Sequence, residues 1–117
     1  MVIREYVIMG IILCLCGAIA GCTSAAIGTI SYDPSGKLLI HATNDEGDTQ
    51  AVLQITIYQI QNFTQTEILK KADFVKFNTG SNDYIIPVHL ESGTYKIYIY
   101  IIVDGDSKAR VVRDLVV

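Results

Sequence analysis

An all-β fold, a sandwich of two antiparallel sheets built from about seven strands, is what this sequence predicts, and three observations lead there. Half of the residues are apolar and isoleucine dominates them, in runs such as "ITIYQI", "DYIIP" and "YIYIIV"; β-branched side chains suit a pleated, half-buried surface better than a helix. From Ile27 onward apolar and polar residues alternate with a period of two, not 3.6. Turn signals recur at intervals of about 8 to 12 residues without helical spacers, the rhythm of a sandwich. A chain of 117 residues has room for one such core.

The segment before this body reads differently. "MVIREY" carries one basic residue, "VIMGIILCLCGAIA" is uncharged and apolar, and small residues follow around Cys22. A charged start, a short apolar core and a small-residue end make the layout of a secretory signal. The apolar core is shorter than the ~20 residues a spanning helix needs. "IAGC", Ile19-Ala20-Gly21-Cys22, resembles the lipobox of prokaryotic lipoproteins. The resemblance implies that the Cys22 thiol receives a diacylglycerol and that cleavage between Gly21 and Cys22 makes Cys22 the first residue. It divides the chain into a signal peptide at 1–21, an acylated cysteine with a short linker at 22–26, and a β-domain at 27–117. A retained N-terminal helix is the alternative, since no charge appears between Tyr6 and Tyr32. In that form, with Glu5 near the helix start, the chain resembles type IV pilins and would be a filament subunit.

The strands follow in order. "IGTISY" ends at "DPSG", with proline second and glycine fourth, as a type I turn prefers. "KLLIHAT" turns Leu38, Ile40 and Ala42 to one face and Lys37, His41 and Thr43 to the other. "AVLQITIYQI" directs Leu53, Ile55 and Ile57 inward, and "QNFTQ" is a loop. "TEILKKADFVKF" fits two short strands or one strand with an irregular edge, and its lysines would blunt that edge against pairing. "NDYIIPVHL" aligns Tyr84, Ile86, Val88 and Leu90 inward, with Pro87 marking an edge strand. "TYKIYIYIIV" faces Tyr95, Ile97, Ile99, Ile101 and Val103 to the core, and "DGD" turns the chain into "KARVVRDLVV".

"LESGTYKIYI" resembles the E–F corner of immunoglobulin-like and fibronectin type III-like domains. There a leucine ends strand E, a glycine turns, and a tyrosine two residues later begins strand F. The resemblance implies an immunoglobulin-like antiparallel β-sandwich over 27–117, with the Tyr95 hydroxyl bonded back to the corner backbone. Fold does not fix function, and the resemblance implies only that this fold mostly hosts binding and spacing roles.

Composition narrows the function further. All three cysteines, Cys14, Cys16 and Cys22, lie in the first fifth of the chain, so no disulfide braces the body. Cys14 and Cys16 sit in apolar flanks without the four spaced ligands of a structural zinc site. A net charge of −3 and the lack of a basic stripe point away from nucleic acid; Lys70-Lys71, the one adjacent basic pair, reads as a solvated strand edge. His41 and His89 fall on outward strand positions with no acid placed beside either by sequence. No strained G-x-S-x-G turn supports a hydrolase. The reading is therefore non-enzymatic, without a cofactor.

Three surface features are candidate sites. In an immunoglobulin-like topology "NDEGD", "TGSN" and "DGDS" share one end, gathering Asp45, Glu46, Asp48, Asp104 and Asp106 with Asn44, Asn82 and Asp83. Calcium takes six to eight such oxygens, although turns favour Asp, Asn and Gly for backbone reasons alone. Tyr58, Tyr98 and Tyr100 have outward parity and form a possible aromatic contact face, tyrosine offering rigid area with a polar tip. Asn62 opens "NFT", a glycosylation pattern. Together these predict a lipid-anchored lipoprotein facing periplasm or cell exterior, close to its membrane, with a protein or envelope partner.

Overall fold

A computed structural model describes residues 25–117; the expectations for Cys22 and for segment 1–21 lie outside the described residues. Seven strands follow one another without a helix among the described residues: β1 (Ala25–Asp33), β2 (Lys37–Asn44), β3 (Thr49–Gln61), β4 (Thr64–Phe77), β5 (Gly80–Pro87), β6 (Thr94–Val103) and β7 (Asp106–Val116). They form a three-stranded sheet in the order β1-β2-β5 and a four-stranded sheet in the order β4-β3-β6-β7, every pairing antiparallel.

The period of two does what it predicts. Leu38, Ile40 and Ala42 of β2 meet Leu53, Ile55 and Ile57 of β3 and Ile97, Ile99 and Ile101 of β6 in one buried cluster. Burial of each of these leucine and isoleucine side chains is worth roughly 1.5 to 3 kcal/mol. Two-residue type I′ turns, with φ positive at both central positions, close β6–β7 at Asp104 and Gly105 (φ 52° and 81°) and β3–β4 at Asn62 and Phe63 (φ 50° and 64°). The β1–β2 connection is the expected corner: Gly36 N–H donates to Asp33 O at 2.9 Å, and Gly36 adopts φ 101°, which a side chain would resist. Asp33 Oδ1 accepts from Ser35 N–H at 2.9 Å, which holds its carboxyl below the ordinary range.

The Tyr95 hydroxyl donates to Glu91 O at 2.6 Å, the bond that the corner resemblance implies. Leu90 N–H donates to Tyr32 Oη at 2.8 Å, so the β5–β6 crossover is tied to β1 as well.

Three elements differ from the sequence expectation. "TEILKKADFVKF" belongs to one 14-residue edge strand, β4, whose irregularity is a bulge opposite Ile57 and Tyr58. A bulge adds one residue and shifts the alternation, which breaks the pattern as read along the sequence. Lys70 and Lys71 therefore part company: Lys70 points outward, whereas Lys71 lies on the inner side opposite Ile55 and pairs with Asp73 at 3.1 Å. In "QNFTQ" the turn takes only Asn62 and Phe63, while Gln61, Thr64 and Gln65 belong to strands. β1 starts at Ala25, two residues earlier than the expected domain start.

Candidate binding face

Among the described residues no element covers the outer side of the four-stranded sheet. Alternation turns Val52, Gln54, Thr56, Tyr58 and Ile60 of β3 outward, since their neighbours Leu53, Ile55 and Ile57 are buried. On β6 the same rule places Lys96, Tyr98, Tyr100 and Ile102 outward. Register aligns them: Gln54 sits opposite Tyr100, Thr56 opposite Tyr98 and Tyr58 opposite Lys96. Tyr58 and Tyr98 are thus diagonal neighbours, and their rings meet edge to face with centroids 5.6 Å apart at 82°, a geometry that aromatic quadrupoles favour. With Thr56, Gln65 and Tyr100 they line a shallow depression. The three tyrosines named from sequence are therefore brought together.

Sequence reasoning missed the rest of this face. Phe74 of β4 is 86% exposed and lies opposite Val52, which lies opposite Ile102, giving an apolar row across three strands. Val112 of β7, 52% exposed, lies opposite Tyr98. The signal was the parity of β4 and β7, which the bulge near Ile57 and the shift between Ile101 and Ile102 conceal.

At the end of the sandwich where Ala25 begins β1, the acidic turns do converge, but the side chains of Asn44, Asp48 and Asn82 there are engaged in holding the backbone. Asn44 is buried; its Oδ1 accepts from Glu46 N–H at 2.9 Å and its Nδ2 donates to Phe77 O at 3.1 Å, joining the two sheets. Asp48 Oδ1 accepts from Thr79 N–H at 2.7 Å, and this bond holds the Asp48 carboxyl below its ordinary range. The Thr79 hydroxyl donates to Glu46 O at 2.6 Å. Asn82 exchanges bonds with the Asn78 backbone, accepting at 2.9 Å and donating at 2.8 Å. Asp45, Asp104 and Asp106 are exposed. Among the described residues no three His, Cys, Asp or Glu side chains are grouped closely enough to hold a metal ion.

On the opposite sheet β2–β5 pairing supplies the acid that sequence did not place: His41 is the direct partner of Asp83, and its Nδ1 lies 2.8 Å from Asp83 Oδ1. Gly28 lies against the His41 ring, where a Cβ would come 3.4 Å from Cδ2. Thr29 and Ser31 share the shallow hollow above this pair. His89 stands apart and exposed, and Asn62 occupies the first central position of the tight β3–β4 turn, its side chain in solvent.

No protein-family model matches this chain, and no curated protein matches it. Solved structures resemble its fold. A putative beta-galactosidase from Bacteroides fragilis superposes with a TM-score of 0.53 at 16% identity, over 81% of this chain and 16% of that one. A beta-glucosidase from Kluyveromyces marxianus gives 0.47 at 16% identity, over 80% of this chain and 13% of that one. The chain spans only a small part of these enzymes, and the likeness to the first, at 16% identity, is one of fold.

Proposed function

We propose that this protein is a non-enzymatic, lipid-anchored lipoprotein that holds an immunoglobulin-like sandwich close to a membrane and docks a protein or envelope partner on the outer face of its four-stranded sheet. The observation that carries the binding role is the cluster of half-exposed Tyr58, Tyr98 and Tyr100 on one face with the exposed Val112 and Phe74, since contiguous apolar and aromatic surface rimmed by polar groups marks interaction sites. The finer fold assignment is supported by β4 extending the β3-β6-β7 sheet and by the Tyr95–Glu91 corner bond. The anchor rests on Ile19-Ala20-Gly21-Cys22. Only Thr23 and Ser24 separate Cys22 from β1. Extended, they would hold the sandwich on the order of 10 Å from the acyl chains, with the turns at 45–48 and 104–105 towards the lipid and the β3–β4 turn away from it.

Intact-mass measurement of protein extracted from its native membrane tests the anchor. A chain beginning at acylated Cys22 is expected, and Cys22→Ser should release the protein from the membrane. An unmodified chain that retains residues 6–21 defeats the lipoprotein reading in favour of the filament subunit.

A further inference from the structure

We infer that the occupant of the four-stranded face is a second copy of this chain, docked face to face about a twofold axis that runs across the strands through Tyr98 and Val112. This rests on the reading of that face as the docking surface and names its partner. The outward residues are arranged symmetrically about that axis. On β7, Arg110 and Asp114 stand one outward step to either side of Val112; on β6, Tyr100 and Lys96 flank Tyr98 in the same way. A twofold across the strands exchanges the members of each pair. Arg110 then meets Asp114 of the second copy, and Lys96 meets the ring of Tyr100 of the second copy, an ion pair and a cation–π contact, each formed twice. On β3 the same operation sets Val52 against Ile60 of the second copy, apolar on apolar.

The alternative twofold, parallel to the strands, would bring β4 onto β7 and place Glu67 against Asp114 of the second copy, acid on acid. Like charges across an interface oppose association. Charge therefore selects the crosswise axis. Lys70 falls on that axis too and meets Lys70 of the second copy at the sheet edge, one like-charge contact against two Arg110–Asp114 ion pairs, whereas the parallel axis makes two acid–acid contacts.

Two otherwise unexplained exposures fit the same operation. Phe74 on β4 is carried towards Gln65 of the second copy, at the end of the hairpin whose tip is Phe63. Phe63 holds a left-handed backbone, φ 64°, at full exposure, and among the described residues no contact offsets that strain. Four strands over about eleven residues present about 700 Å² of face per copy, near the ~800 Å² per partner of a standard specific interface.

Sedimentation equilibrium of the full-length chain, in a detergent density-matched to the buffer, reads the result directly. The native chain should have the mass of two copies at concentrations above ~10 µM. Arg110→Asp and Asp114→Arg should each weaken dimerisation by at least about tenfold. The double variant should restore it, and mixing the two single variants should give a mixed dimer; this restoration also shows that the substitutions leave the fold intact. A native chain of single-copy mass overturns the inference while leaving the face free for a different partner. A dimer indifferent to both reversals but broken by Tyr98→Lys overturns this register and keeps the face. A dimer indifferent to all three places the contact elsewhere and overturns the inference, again leaving the face free for a different partner.

Discussion

Tyr95 shows how much a single side chain settles. Its ring is in the core while its hydroxyl reaches the Glu91 carbonyl, so it pins the crossover between the sheets. Burial pushes its phenol upward, and the Glu91 carboxylate adds to the shift. Tyr84, whose hydroxyl donates to Lys76 O at 2.8 Å, is pushed in the same direction by burial. A phenol raised in the folded state contributes stability that is full below the ordinary value of 10.0 and is lost as pH rises through the raised one. Tyr95→Phe is therefore expected to lower unfolding stability at neutral pH by about 1 kcal/mol, read as a lower urea midpoint at unchanged slope, and to flatten the alkaline fall. An alkaline limb as steep in Tyr95→Phe as in the native chain would refute the assignment. This residue was legible because its partner lies four positions away. The His41–Asp83 pair was not, because the partners are 42 positions apart and meet only through strand register.

At the scale of elements, the β3–β4 hairpin holds both the clearest success and the clearest miss of sequence reasoning. β3 alternates cleanly because it is central, with buried neighbours on one side and a half-exposed face on the other. β4 lies at the edge, where only part of its inner side is covered, so Lys71 and Asp73 can occupy inward positions and erase the pattern. An inward ion pair on an edge strand also discourages pairing with a stranger's edge. The turn that joins the two strands is better suited to glycine at its second central position. Phe63→Gly relieves a left-handed conformation costing roughly 1 to 2 kcal/mol, part of which glycine's freedom in the unfolded chain takes back. Stability is expected to rise by about 1 kcal/mol in urea titration. The same substitution should weaken dimerisation, separating a gain in fold from a loss in contact, and a less stable variant would show that the phenylalanine packs within its own chain.

For the whole molecule, the two ends of the sandwich have different tasks. The end near Ala25 is knit by Asn44, Asp48, Thr79 and Asn82, whose side chains serve backbone groups. Melting in millimolar calcium and in chelator is therefore expected to coincide, and a higher melting temperature in calcium would reveal a metal site there. The convergence of these turns was legible from topology; their use as backbone ligands was not, since it depends on which amide each oxygen happens to face. The central place of β3 has a further consequence, for the order of folding. It pairs locally with β4 through a two-residue turn, yet its other edge waits for β6, some forty residues further along the chain. During synthesis that edge is open on a strand that carries Leu53, Ile55 and Ile57 of the core, so the nascent hairpin is a target for chaperones or for misassociation. Closure across so long a separation belongs to the millisecond-to-second range of β-sandwich folding, and the sheet becomes whole only once β6 has emerged.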